Sequence, residues 1–157
     1  MYEHGIRNAA RALIIKNNMI LAIKHRKGEG DIYYTLPGGG QNSSEELSNA
    51  LQRECFEELG VKVEVKDIIF VCEYIADYHE SSIHTPGFHQ VDLIFECQLT
   101  SSIDILHAKN KDDNQLGYEW IDVENIKSVI MYPMELRKFI LDYYLDKNKI
   151  IYVGEME

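Results

Sequence analysis

Cysteine is scarce in this sequence and odd in number. Cys55, Cys72 and Cys97 stand far apart, each among apolar neighbours. That pattern argues against a disulfide framework and points to buried, reduced thiols in a cytoplasmic setting. Positive charge is also in short supply. Sixteen Lys plus Arg face twenty-six Asp plus Glu, a net charge of −10 at pH 7. Such a surface repels duplex nucleic acid, while a small phosphorylated ligand can still bind at a local cation. No apolar run approaches the roughly 18 residues of a membrane-crossing helix. The opening Met1-Tyr2-Glu3-His4-Gly5 has no basic stretch leading into an apolar one, so neither a membrane span nor a secretion signal is expected. Repeats, low-complexity tracts and Pro/Gly/Ser-rich linkers are missing too. What is there, 157 residues of which 45% are apolar, suits one domain over residues 1–157.

Two apolar segments, Ala10 to Lys16 and Met19 to His25, flank Asn17-Asn18, a pair that tolerates the positive φ of a tight turn. A β-hairpin is expected there. Arg26 to Asp31 is charged and glycine-containing, hence a loop, and Ile32 to Leu36 a short strand ending at Pro37. Ser43 and Glu46 have capping-box spacing ahead of apolar Leu47, Ala50, Leu51, Cys55 and Leu59. The spacing predicts a helix of about four turns, stopped by Gly60. Val61 to Val65, Ile68 to Tyr78 and His89 to Leu99 follow as strands. In the last, Val91, Leu93, Phe95, Cys97 and Leu99 share one face, and Gln90, Asp92, Glu96 and Gln98 share the other. The connection from Tyr78 to Phe88 is long, aromatic and histidine-rich, as recognition loops tend to be. Glu119-Trp120-Ile121 adds a strand, Pro133 to Leu145 a second helix with proline in its first turn, and Ile150 to Val153 an apolar tail. The sum is a mixed sheet with at least two helices packed on it, an α/β (α+β) class.

The first helix places acid where stability alone would not. At about 100° per residue, Glu54, Glu57 and Glu58 fall within an arc roughly 100° wide, below Leu47 and Ala50 on the same face. Clustered carboxylates repel one another, and Glu57 and Glu58 also face the negative end of the helix dipole. A solvated acidic helix end is the plain alternative. Arg53 can neutralise part of the cluster, but a hard divalent cation with oxygen ligands does so more completely and can still hold phosphate oxygens. Gly38-Gly39-Gly40, just ahead of the helix, lets backbone pass close to such a site.

The stretch from Gly39 to Val61 resembles the box of the Nudix hydrolases. Gly39, Glu45, Arg53, Glu54, Glu57, Glu58 and Gly60 meet each fixed glycine and polar position in register, with Val61 as the closing aliphatic. Cys55 departs from the larger aliphatic the family prefers, and Asn42 and Ser44 stand where many members carry Glu and Gly. The resemblance implies an α/β/α sandwich with a mixed sheet between helices. It also implies hydrolysis of the diphosphate linkage of a nucleoside diphosphate derivative, such as ADP-ribose or a nucleoside triphosphate. It further implies Mg²⁺, or Mn²⁺ in its place, held by Glu54, Glu57, Glu58 and the Gly38 carbonyl. Arg53 and Glu45 read as a pair that orients the cluster, and Glu57 is favoured as general base over Glu80, Glu96, Asp112 and Asp113. Many members dimerise, so a homodimer is expected.

For substrate, Lys24 and Arg26 lie where related proteins often place a basic residue, though both can equally end a surface hairpin. Arg7 and Arg11 could reach phosphate or ribose from a strand edge. Tyr74, Tyr78 and Phe88 could stack on a base or simply pack. Tyr78, 17 residues past Val61, is also nearer to the pattern of dinucleoside polyphosphate cleavers. His79-Glu80 with His84 is one residue too long for a helical zinc motif, so zinc is not expected. A nucleotide sensor that has lost activity is the competing class, yet such modules usually lose the glutamates present here.

Overall fold

The computed structural model describes residues 5–80, 84–108, 113–147 and 150–157. In chain order the elements are strands β1 (Arg7–Leu13), β2 (Ile15–Lys16), β3 (Met19–Arg26), β4 (Ile32–Thr35) and β5 (Gly38–Gly40), then helix α1 (Leu47–Leu59). Next come β6 (Val63–Ile75), β7 (His89–Leu99), β8 (Gln115–Asp122), helix α2 (Leu136–Tyr144) and β9 (Tyr152–Glu155), with three short 3₁₀ turns between them. One sheet runs β5-β1-β7-β6-β9 and is mixed: β1 and β7 are parallel, as are β6 and β9, whereas β1–β5 and β6–β7 are antiparallel. The second sheet is antiparallel, with β3 flanked by β8 on one side and by β2 and β4 on the other.

Helices cover both faces, because the strands are apolar on both. Successive side chains of β3 point to opposite faces, and Ile20 and Ala22 join one buried cluster while Leu21 and Ile23 join the other. The first cluster contains Phe70, Ile94 and Met131 and receives Leu136 and Ile140 of α2. The second receives Leu51, Cys55 and Leu59 of α1. Truncating a fully buried aromatic such as Phe70 costs about 3–5 kcal/mol, so each layer is a substantial part of the fold's stability. The architecture is the sandwich of a mixed sheet between helices that the sequence resemblance implies. Among the described residues no helix is long and apolar enough to cross a membrane. All three cysteines are free and buried, and burial pushes the Cys72 and Cys97 thiols up to about 12.

Several local expectations are corrected. The apolar run Ala10 to Lys16 divides at Ile14: its first part stays in the five-stranded sheet, and β2 enters the other sheet. The hairpin itself holds, with Asn17 and Asn18 at φ 52° and 62°. Val61 to Val65 and Ile68 to Tyr78 are not separate strands. From Val63 to Ile75 the chain is one strand that absorbs Lys66 and Asp67 as an irregularity of register against β7. The capping box does not form. Helix α1 begins at Leu47 with no side-chain cap, because Ser44 sits in a turn at φ 65° and Glu45 is drawn away to Arg53. The stop is as expected: Gly60 adopts φ 61°, its N–H donates to Phe56 O at 2.8 Å, and a Cβ there would lie 2.0 Å from Asp104 O. Pro133 precedes α2 rather than opening it; its carbonyl accepts from Leu136 N and the helix starts there. The apolar tail is displaced too, since β9 begins only at Tyr152 and Ile150 and Ile151 stay exposed.

The largest difference concerns β7. Its polar face is divided: Gln90 and Asp92 are buried, 8% and 7% exposed, whereas Glu96 is half-buried and Gln98 exposed. The parallel neighbour β1 brings cations onto that face. Arg11 Nε donates to Asp92 at 3.1 Å, Arg7 donates to the Gln90 side chain, and Gln90 Nε2 donates to both Asp92 oxygens. A buried carboxylate persists only when paired and hydrogen-bonded in this way.

Candidate active site

Gly38–Gly40 is an edge strand rather than a loose turn. It pairs antiparallel with β1 in the register Ala9 with Gly40, Ala10 with Gly39 and Arg11 with Gly38. Three different neighbours demand the glycines. A Cβ on Gly38, where φ is 135°, would lie 2.1 Å from the Ala10 carbonyl; one on Gly39 would meet the Glu54 carboxyl group at 2.5–2.7 Å; one on Gly40 would meet the Arg7 guanidinium at 2.6 Å. The missing Gly39 side chain therefore lets α1 lay Glu54 against the strand.

Arg53 organises that end. Its Nε and Nη2 donate to the two Glu45 oxygens at 2.7 and 3.1 Å, Nη1 to Glu54 at 2.9 Å and Glu57 at 3.3 Å, and Nη2 also to Gly40 O at 3.0 Å. A planar fork of donors suits this task as an ammonium group cannot. The hydrogen bond to Glu45 is the main reason the Arg53 pKa is raised, and the same bond, with the Asn42 N–H, lowers that of Glu45. On the other side of the cluster, Glu58 Oε1 accepts from Gly38 N at 3.0 Å. The Gly38 carbonyl accepts from Arg11 Nη1 at 3.0 Å. Burial works against the Arg11 charge, but Asp92, Glu58 and Glu54 outweigh it and its pKa is raised.

Arg11 also lines a cleft of about 660 Å³, within the roughly 300–1,000 Å³ of small-molecule sites. Tyr33, Tyr74, His84, Phe88 and Tyr132 share its lining. The acidic cluster and an aromatic cleft thus meet at one guanidinium.

A hard divalent cation fits these residues chemically. Glu54, Glu57, Glu58 and the Gly38 carbonyl offer oxygen donors alone, as such ions prefer, and Gly39 leaves room for the Glu54 carboxylate. Among the described residues no three acidic, His or Cys side chains are already gathered in a metal-holding group. Glu54 and Glu57 are turned to Arg53 and Glu58 to the Gly38 N–H, so the two arginines supply positive charge to the cluster.

The structure brings Gly38, Glu45, Arg53, Glu54, Glu57 and Glu58 together. Arg7 lies beside them, over Gly40. Lys24 and Arg26 do not line the cleft; Lys24 is held between β4 and β8, and Arg26 is exposed. Tyr78 is 70% exposed and outside the cleft, whereas Tyr74 and Phe88 line it. Of the other acids considered as base, Glu80 and Asp113 are exposed, Glu96 bonds Tyr143, and Asp112 lies outside the described residues. Asp92, Gln90, Tyr33 and Tyr132 were not expected. Asp92 carries a faint signal, an acid in a strand of buried neighbours, but its pairing with Arg11 spans 81 residues.

The family model for the NUDIX domain matches residues 5–143. The chain belongs to the NUDIX family. Over 141 residues this NUDIX chain is 27% identical to the ADP-ribose pyrophosphatase of Methanocaldococcus jannaschii, covering 89% of the chain and 74% of that protein. Its fold resembles that of a NUDIX hydrolase from Nitrosomonas europaea, with a TM-score of 0.71, 17% identity and 92% of each chain covered. An ADP-ribose pyrophosphatase from Streptococcus suis gives a TM-score of 0.61 at 14% identity, covering 96% of this chain and 98% of that one.

Proposed function

We propose that the protein hydrolyses the diphosphate linkage of a small nucleoside diphosphate derivative, ADP-ribose being the first candidate, with Mg²⁺ bound at the acidic end of α1. The observation that carries this reading is the approach of Glu54 and Glu58 to a glycine strand whose Gly39 leaves space for a carboxylate, with Glu57 tied to Glu54 through Arg53. The name of the Methanocaldococcus jannaschii relative supports the choice of substrate.

When bound, the metal neutralises the diphosphate and lowers the pKa of a coordinated water. The chain does the rest. Glu54, Glu58 and the Gly38 carbonyl would hold the ion, and a carbonyl oxygen, having two lone pairs, could keep its Arg11 bond while doing so. Glu57 takes the proton of the attacking water, and Arg53 fixes the orientation of Glu54 and Glu57. Arg11, between cluster and cleft, binds the phosphate nearest the group in the cleft.

The test is phosphate release, coupled to phosphatase, from ADP-ribose, nucleoside triphosphates, nucleotide sugars and dinucleoside polyphosphates, with and without Mg²⁺ or Mn²⁺. Metal-dependent hydrolysis of one class is expected, lost in Glu57→Gln while the protein stays folded. Unchanged rates in that variant remove Glu57 from the reaction. Tight nucleotide binding without turnover overturns the hydrolase reading in favour of a sensor.

A further inference from the structure

Side chains of β1 and β7 form one continuous chain of hydrogen bonds beside the glycine strand. Arg7 donates to the Gln90 side-chain oxygen, and Gln90 Nε2 donates to the two Asp92 oxygens at 3.1 and 3.0 Å. Arg11 Nε donates to Asp92 at 3.1 Å, and Arg11 Nη1 donates to the Gly38 carbonyl at 3.0 Å. The chain begins at a guanidinium lying over Gly40 and ends on Gly38, so it spans β5. Arg11 is thereby held at two of its three nitrogens. Its Nη2 has no hydrogen-bond partner among the described residues, and the side chain, 25% exposed, borders the cleft.

We infer that Asp92 is a positioning residue, which acts through Arg11 and holds its unoccupied Nη2 ready for a phosphate in the cleft. This rests on the reading of Arg11 as the phosphate contact, and adds what keeps it aimed. A guanidinium is planar and rigid, so fixing Nε and Nη1 also fixes where Nη2 points. Asp92 does not serve the ligand directly. It borders the cleft too, but it is buried, both of its oxygens already accept, and its charge repels a phosphate. The two effects of Asp92 therefore have opposite signs. Coulomb repulsion alone means that removing the carboxylate tightens phosphate binding; loss of aim means that removing it weakens binding.

Calorimetric titration of the whole chain with ADP-ribose in EDTA reads that sign without metal or turnover. Asp92→Leu, close to aspartate in shape and without an acceptor, is expected to bind about ten-fold more weakly. Added to Arg11→Met, the same substitution is expected to weaken binding no further, because its effect passes through Arg11. The urea midpoint should behave differently: what Arg11→Met loses by leaving Asp92 alone, the double variant regains, both partners then being apolar. Asp92→Asn keeps one oxygen for Arg11 Nε and should lose less affinity than Asp92→Leu. It decides alone if either of the others fails to fold, since the lost charge by itself would tighten binding. No ADP-ribose binding by the unaltered protein, equal or tighter binding by Asp92→Leu, or a further weakening of Arg11→Met by Asp92→Leu overturns the inference. The expected pattern of affinities with no hydrolysis of any nucleotide sinks the hydrolase reading and leaves the role of Asp92 standing.

Discussion

Gly39→Ala separates chemistry from folding at a single atom. The new Cβ would lie 2.5 Å from Glu54 Cδ and 2.6 and 2.7 Å from its oxygens, whereas ordinary contact begins at 3.4 Å. The carboxyl group must therefore retreat by about 0.9 Å, and it can, being the far end of a flexible side chain. Gly39, unlike Gly38, is not among the glycines at positive φ, so the backbone accepts alanine without strain. Stability should change by less than about 1 kcal/mol. Activity should not survive as well, because a displacement near 1 Å within a catalytic constellation costs on the order of 100-fold in rate. The assay is kcat for Mg²⁺-dependent hydrolysis set beside a thermal melt, with Gly38→Ala as the contrast. There the Cβ would meet the Ala10 carbonyl at 2.1 Å with φ at 135°, so folding itself should suffer. A Gly39→Ala enzyme that keeps its full rate would show that the position of Glu54 does not matter, and the reasoning would fall.

Three further outcomes rest on single contacts. Arg53→Lys cannot reproduce a fork that engages Glu45, Glu54, Glu57 and the Gly40 carbonyl, so kcat should drop about 100-fold; steady-state rates near wild type contradict this. Arg11→Met leaves Asp92 buried, with Gln90 Nε2 still donating to it but its paired cation gone, and should cost about 3 kcal/mol in urea unfolding; an unmoved midpoint refutes the buried pair. His79 bonds Glu155 at 2.5 Å and Glu157 at 3.1 Å, and its pKa is raised, first by the Glu155 hydrogen bond and against the effect of burial. A raised imidazole stabilises fully below its ordinary value of 6.5 and is lost as pH rises through the folded value. Exchange of the Met156 amide, corrected for intrinsic rate, should thus be better protected at about pH 6 than at about pH 8.5, and His79→Gln should abolish the difference.

Local chemistry made parts of this molecule legible in advance. Asn17-Asn18 gave away the hairpin because few residue pairs accept two positive φ angles, and Gly60 marked the helix end for the same reason. The acid cluster was readable because its partners lie within one helix and the strand just before it. What depended on distant chain was not. Gln90 and Asp92 look like a wetted strand face until β1 sets Arg7 and Arg11 against them from more than eighty residues away. Ser43 and Glu46 have the spacing of a cap, but the chain turns at Ser44 and the helix starts only at Leu47, which leaves Glu46 itself at the cap position. Tyr33 and Tyr132 carry no local sign of sharing a cleft, since only the fold of β4 against the segment before α2 places them together.

An edge strand is ordinarily a hazard, since its outward N–H and C=O groups invite a neighbouring molecule to add itself to the sheet. In β5 three of those groups are occupied by the site: Gly38 N by Glu58, Gly38 O by Arg11 and Gly40 O by Arg53. The same side chains that gather the charge also keep the sheet from growing. Substitutions at Glu58 or Arg53 therefore also uncover a pairing edge, and a variant made as an inert control can fail by self-association rather than by lost chemistry.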